Sequence, residues 1–172
     1  MKQPKLDQSS VRRPRWLRWL RDIALLLLVF AGIQWWQARD LAAGPAPALV
    51  GLLSDGREYR LSPADGPVLV HFWATWCPVC RLEQNSIDSI SSDREVITIA
   101  TNSGSADEVN TYLDEHGLGM RVLMDETGEI ARHWGVAGVP ASFIVDREGR
   151  IEYAGMGYAT EIGLRARMWL AE

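Results

Sequence analysis

Val68-Leu69-Val70-His71-Phe72-Trp73-Ala74-Thr75-Trp76-Cys77-Pro78-Val79-Cys80 sets a strand signal directly against a helix signal, and that junction limits what can be built around it. Residues 67–73 are β-branched, aromatic and almost continuously apolar, the pattern of a central strand covered on both faces. The pattern breaks at 74–77. Pro78, whose missing N–H has no partner in a first helical turn anyway, then opens a helix over 78–91 with Leu82, Ile87 and Ile90 as its apolar positions. Both cysteines of the 172-residue chain sit at this junction, three apart.

The flanking sequence continues the alternation. Before the strand, residues 49–53 and 58–61 bracket Ser54-Asp55-Gly56 and predict a β-hairpin. After the helix, Val96 to Ala100 reads as a second buried strand. Ser105 with Asp107 and Glu108 reads as the capped start of a helix whose stripe is Val109, Tyr112 and Leu113 and which Gly117 ends. A short strand at 122–124, a short helix at 129–134 and a hairpin of 141–145 with 151–154 follow. A last helix over 160–170 is expected to turn Ile162, Arg165, Ala166 and Trp169 toward the sheet. Strands alternating with helices, then a hairpin and a terminal helix, predict an α/β three-layer sandwich with a mixed central sheet.

Two cysteines at a strand-to-helix junction have a chemical meaning. Unpaired N–H groups and the positive end of the helix dipole stabilise a thiolate there, lowering a thiol pKa from about 8.5 to between roughly 3.5 and 7.5. Cys77, expected as the exposed member, is the nucleophile. Cys80, one turn on, resolves the mixed disulfide by attacking Cys77. Pro78 and Val79 tune the reduction potential, Pro78 by removing one donor. A purely structural disulfide is disfavoured because so short a loop closes little chain entropy. Zinc has no second ligand pair, since His71, His116 and His133 are scattered, and no cofactor is expected. A Cu(I)-binding thiol pair without redox turnover stays open as the alternative.

Charge divides the chain. Residues 1–22 hold seven bases and two acids, whereas residues 45–172 hold ten bases and nineteen acids, so +5 faces −9 within a net charge of −4. An acidic domain with no basic stripe excludes nucleic acid as a partner. Between the halves, Ile23 to Ile33 is an apolar run of eleven residues flanked by Trp16, Trp19, Trp35 and Trp36. Counted over 16–36, it predicts one transmembrane signal-anchor helix, with Arg18 and Arg21 snorkelling and the tryptophans at the interfaces. A cleaved signal peptide and a buried core helix are the alternatives; the basic flank before the apolar run fits a core helix less well, and no convincing small-x-small site follows Ile33. The expected organisation is then a basic cytoplasmic amino terminus over 1–22 that includes the start of the anchor, a linker over 37–47, and a domain over 48–172 on the far side of a bacterial inner membrane, in the periplasm.

The quoted stretch, together with Gly135-Val136-Ala137-Gly138-Val139-Pro140-Ala141-Ser142-Phe143-Ile144-Val145-Asp146 and Gly149-Arg150-Ile151, resembles the thioredoxin superfamily over about residues 48–170. With the anchor, the chain is similar to the membrane-tethered periplasmic reductases of the TlpA and DsbE type, and most to the thioredoxin-like D type of the suppressor-of-copper-sensitivity system. The resemblance implies a thioredoxin-like sandwich and a thiol:disulfide oxidoreductase acting on protein thiols, kept reduced by a membrane electron donor of the DsbD type, in copper or oxidative stress tolerance or in cytochrome c maturation. It implies a cis Val139-Pro140 bond opposite the cysteines, with the Val139 backbone pairing with substrate, and Trp76 covering the disulfide; Trp73 is expected in the core. Many relatives place a buried proton-transfer acid where His71 stands, and TlpA-type reductases place a glutamate about where Ser105 stands. Neither acid is present. His71 is therefore one candidate for proton transfer, and Glu83, on a helix position that is ordinarily solvated, is a second.

Overall fold

A computed structural model describes residues 15–38, 40–62 and 66–172, so most of the basic amino-terminal segment lies outside the described residues. The chain divides into Met1–Trp35 and Trp36–Glu172. Helix α1 runs Arg15–Ala38. At about 1.5 Å per residue, its apolar run Ile23–Ile33 spans only about 16 Å, against a hydrocarbon core of about 30 Å. Arg15, Arg18, Arg21 and Asp22 occupy one flank, with Gln34 and Gln37 on the other, and among the described residues no helix is long and apolar enough to cross a membrane. The expected span over 16–36 is thus helical but falls short in apolarity.

The second unit is built on a six-stranded sheet and a two-stranded one. The order of the elements is β1 (Gly44–Pro45), β2 (Val50–Leu52), β3 (Glu58–Arg60), β4 (Val68–Trp73), α2 (Pro78–Ser91), β5 (Val96–Thr101), α3 (Ala106–His116), β6 (Val122–Asp125), α4 (Glu129–His133), β7 (Ala141–Val145), β8 (Arg150–Met156) and α5 (Glu161–Leu170). The large sheet is ordered β1-β8-β7-β4-β5-β6, and β2 pairs with β3 as the expected hairpin. Strands β4, β5 and β6 are parallel while β7 and β8 are antiparallel, giving the mixed sheet. Central β4 is buried throughout because it is covered on both sides. Its Leu69 and Trp73 join Ile87 and Ile90 of α2, Val109 of α3 and Leu164 of α5 in one core layer. Its Val68, Val70 and Phe72 pack with Trp134 and Phe143 in the other.

Local chemistry explains the element ends. Ser105 and Glu108 form a reciprocal capping box at the start of α3, and Gly117 ends it at φ 63°, a left-handed conformation that costs glycine no Cβ clash. Thr160 caps α5 by accepting from the Gly163 N–H.

Three expectations are corrected. The predicted linker, 37–47, is drawn partly into the sheet: Gly44 pairs with Ile151 and Pro45 with Arg150, Leu41 is buried, and the Ala42 N–H donates to the Trp134 carbonyl. Gly135 lies so close to this segment that a Cβ there would sit 1.9 Å from the Asp40 carbonyl oxygen. On α2, Ile87 and Ile90 are buried but Leu82 is 73% exposed. Helix α5 turns Leu164 and Met168 inward, one turn apart, and leaves Ile162 82% and Trp169 64% exposed. The expected stripe failed because Arg165 is held at the helix side by Glu161 and Asp93, which fixes that side as the solvent edge. Accordingly, Leu164→Ala should cost about 3 kcal/mol in denaturant unfolding, whereas Ile162→Ala and Trp169→Ala should each stay within about 0.5 kcal/mol of the parent.

Candidate active site

Strand β4 ends at Trp73, the chain turns through Ala74–Trp76, and Cys77 becomes the N-cap of α2. Cys77 has extended backbone angles (φ −85°, ψ 112°), and its sulfur accepts the Cys80 N–H at 3.2 Å, so one of the unpaired amides at the helix start points at this atom. Pro78 occupies the first turn, where its lack of an N–H is harmless. The two cysteines are joined as a disulfide with Cα atoms 5.3 Å apart. Contrary to the expectation of an exposed Cys77, both are buried to the same degree, 3% each, while Trp76, Pro78 and Val79 around them are exposed.

Residues distant in sequence close over the pair. The Val139-Pro140 peptide bond is cis, and the Val139 carbonyl oxygen lies 3.7 Å from Cys77 Sγ. The Trp76 indole N–H donates to the Asn102 carbonyl, and the Thr75 N–H donates to Ser103 Oγ, so the loop after β5 holds the segment that leads into Cys77. Asn102 takes a positive φ of 49° there, one of the few side chains that tolerate it. A groove of about 180 Å³ runs beside the cysteines between Trp76, Asn102, Arg132 and Val136–Val139. A larger polar cleft, of about 410 Å³, lies at the other end of β4 near Pro67, Arg94 and Arg147, away from the sulfur chemistry.

Beneath the disulfide is a polar cluster. His71, on the same side of β4 as Leu69 and Trp73, is buried, and its Nδ1 is hydrogen-bonded to Ser142 Oγ at 3.0 Å. Burial pushes its pKa down to about 3, leaving it neutral. His71 shares a small cavity with Trp73, Cys80 and Gln84. Glu83 is fully buried, contrary to the expectation of a solvated helix position; the Ala159 N–H donates to its Oε2 at 2.8 Å. Its Oε1 has no hydrogen-bond partner and lies 3.7 Å from His71 Nε2. Desolvation raises the Glu83 carboxyl to about 7, opposed by the Ala159 amide. Trp73 is buried and donates its indole N–H to Thr98, as a core residue.

The structure therefore gathers Cys77, Cys80, Trp76, Pro78, Val79, Val139 and Pro140 around one disulfide, with His71 and Glu83 below it. Ser142, Asn102, Ser103 and the Ala159 amide were not anticipated. Glu83, Ile87 and Ile90 follow the i, i+4, i+7 spacing of a buried helical face, a signal that marks Glu83 as an inward residue. Nothing local marks Ser142, which meets His71 only because the two are directly paired across β7 and β4. Among the described residues no cluster of three or more His, Cys, Asp or Glu side chains could hold a metal ion.

Residues 41–165 match the Redoxin family. The chain is 30% identical over 120 residues to a thioredoxin-like protein of Haemophilus influenzae, covering 68% of this chain and 71% of that protein. It is 26% identical over 161 residues to the thiol-disulfide oxidoreductase ResA of Geobacillus thermodenitrificans, covering 87% and 92%. Its backbone superposes with a TM-score of 0.64 on a thiol:disulfide interchange protein of the thioredoxin family from Chlorobium tepidum, at 27% identity over 76% of this chain and 97% of that one. A cysteine pair capping a helix, set in a sheet of this topology and in this company of sequences, has one reading: the chain belongs to the Redoxin family and is a thiol-disulfide oxidoreductase of thioredoxin-like fold.

Proposed function

We propose that the protein is a reductase of protein disulfides that works outside the cytoplasmic membrane, with Cys77 as nucleophile and Cys80 as resolving thiol. The observation that carries this is the Cys77 sulfur at the N-cap of α2, where it accepts the Cys80 N–H and where negative charge on sulfur is stabilised. In the reduced enzyme the Cys77 thiolate attacks one sulfur of a substrate disulfide; a mixed disulfide forms and the other substrate sulfur leaves as a thiolate that takes a proton from water. Cys80 gives its proton to the Glu83 carboxylate, and its thiolate attacks Cys77 Sγ. The mixed bond breaks, the second substrate thiolate departs, and two electrons have passed from the cysteine pair to the substrate. A membrane dithiol protein of the DsbD type restores the pair. Backbone groups of Val139 align the substrate chain, Trp76 and Val79 form the exposed rim, and Pro78 and Val79 set the potential.

Location and setting belong to the same proposal. The basic amino terminus, the apolar run and the flanking tryptophans support a membrane tether with the redox domain in the periplasm, and the resemblance to suppressor-of-copper-sensitivity proteins supports a role in copper and oxidative stress tolerance.

Three outcomes test the reading. Cys80→Ser should accumulate mixed disulfides with partner proteins in cells, visible on non-reducing gels, and Cys77→Ser should accumulate none; trapped apocytochrome c would move the setting to cytochrome maturation, and tight Cu(I) binding without any exchange would replace turnover by metal binding. The full-length chain should stay with membranes after alkaline carbonate extraction, whereas a chain lacking residues 1–38 should be released. The third outcome concerns pH. Because the folded-state pKa of Glu83 is raised from 4.5 to about 7, its contribution to stability is fully present below about 4.5 and is lost as pH rises through about 7. Glu83→Gln should therefore gain stability relative to the parent between pH 4 and pH 8, by up to about 3 kcal/mol in denaturant titrations.

A further inference from the structure

The buried cluster has more hydrogen-bonding parts than a single proton acceptor needs. Glu83 Oε1 is completely buried and has no partner within hydrogen-bonding distance among the described residues, and His71 Nε2 lies 3.7 Å from it. The other imidazole nitrogen is tied to a hydroxyl, Ser142 Oγ at 3.0 Å, and that contact is built into the sheet because His71 and Ser142 are paired across β4 and β7. A hydroxyl can donate or accept, and a neutral imidazole can carry its proton on either nitrogen.

We propose that His71 and Ser142 form a reversible hydrogen-bond adaptor that satisfies Glu83 in both of its protonation states, making His71 a positioning residue for the proton that Cys80 surrenders. This rests on the assignment of Cys80 as resolving thiol and deepens it. When Glu83 is protonated, its O–H donates to His71 Nε2, and Nδ1–H donates to Ser142 Oγ. When Glu83 is ionised, Nε2–H donates to the carboxylate, and the Ser142 hydroxyl donates to Nδ1. One proton separates the two states, the one accepted from Cys80 during exchange, and His71 remains uncharged in both. The 3.7 Å gap needs a side-chain shift of less than about 1 Å to reach hydrogen-bonding distance. Without the adaptor, an ionised carboxylate at this depth keeps only the Ala159 amide, and losing a charge-assisted hydrogen bond disfavours the ionised form most. The groups that face Glu83 are His71 from β4, the Ser142 hydroxyl from β7 through His71 and the Ala159 amide from the loop before α5; Cys80, three residues earlier on the same helix, lines the cavity beside His71, and Tyr112 of α3 is hydrogen-bonded to Gln84.

The test isolates the resolving step. Reduced full-length protein is mixed with the aromatic disulfide 5,5′-dithiobis(2-nitrobenzoate): attack by Cys77 releases one coloured thiol, and attack by Cys80 on the resulting mixed disulfide releases the second. The rate of the second release is measured against pH. In His71→Phe and Ser142→Ala the midpoint of this profile should move up by about one to two pH units, the size expected for losing one charge-assisted hydrogen bond, with a loss of roughly tenfold or more at neutral pH. Ser142→Thr, which keeps the hydroxyl, should restore the parent profile. Unmoved midpoints in folded His71→Phe and Ser142→Ala would overturn the adaptor and leave His71 as packing. If His71→Phe does not fold, Ser142→Ala with its threonine rescue decides alone. Failure of the parent protein to release the second thiol at any pH would overturn the assignment of Cys80 itself, and is distinct from an unshifted midpoint.

Discussion

The contact between the Cys77 sulfur and the Cys80 amide organises the molecule in both directions along the chain. It can exist only if the chain leaves β4 and enters α2 within a few residues, which requires β4 to be fixed on both faces and α2 to start at Pro78. The two core layers supply that fixity from opposite sides of one strand, Leu69 and Trp73 facing the helices, Val68, Val70 and Phe72 facing Trp134 and Phe143. A helix start aimed at a sulfur is a fixed electrostatic feature that needs no rearrangement when charge appears there. The cis Val139-Pro140 segment and the Asn102 loop then close around a point whose position is already determined.

The burial that steadies the junction also brings polar groups inside. His71, Glu83, Thr98 and Ser142 are all interior. Most have partners: Thr98 receives the Trp73 indole N–H and donates to the Arg121 carbonyl, and Ser142 and His71 hold one another. Glu83 alone among these four keeps a bare oxygen. Unsatisfied buried oxygens are costly, so such an atom under a redox pair fits a group whose charge changes during turnover better than one with a structural task.

Much of this architecture was legible in the residues, for reasons that also explain what was not. Strands β4 and β5 and helices α2 and α3 announce themselves by apolar period and caps, which are local signals, and the CxxC spacing with Val139-Pro140 located the site. Errors arose where tertiary context overrode local pattern. Leu82 and Ile162 are apolar and exposed, while Glu83 is ionisable and buried, because a helix face is chosen by the total fit of its residues and not by each one singly. The Gly44-Pro45 stretch reads as a spacer because two prolines flank small residues, yet it finds a strand to pair with. His71 and Ser142 lie 71 positions apart and become neighbours only through strand register.

That short pairing of Gly44-Pro45 with β8 has a further effect. An open antiparallel strand offers a row of free amides and carbonyls to any other extended chain, and an enzyme that handles proteins with unmade or broken disulfides meets such chains routinely. Here β8 is blunted at one end by two residues, one of them a proline that cannot donate to a ladder, and at the opposite margin of the sheet the bridge from Leu53 to Leu123 lies across β6. With both margins of the sheet partly occupied in this way, fewer free amides and carbonyls are left there for another extended chain to pair with.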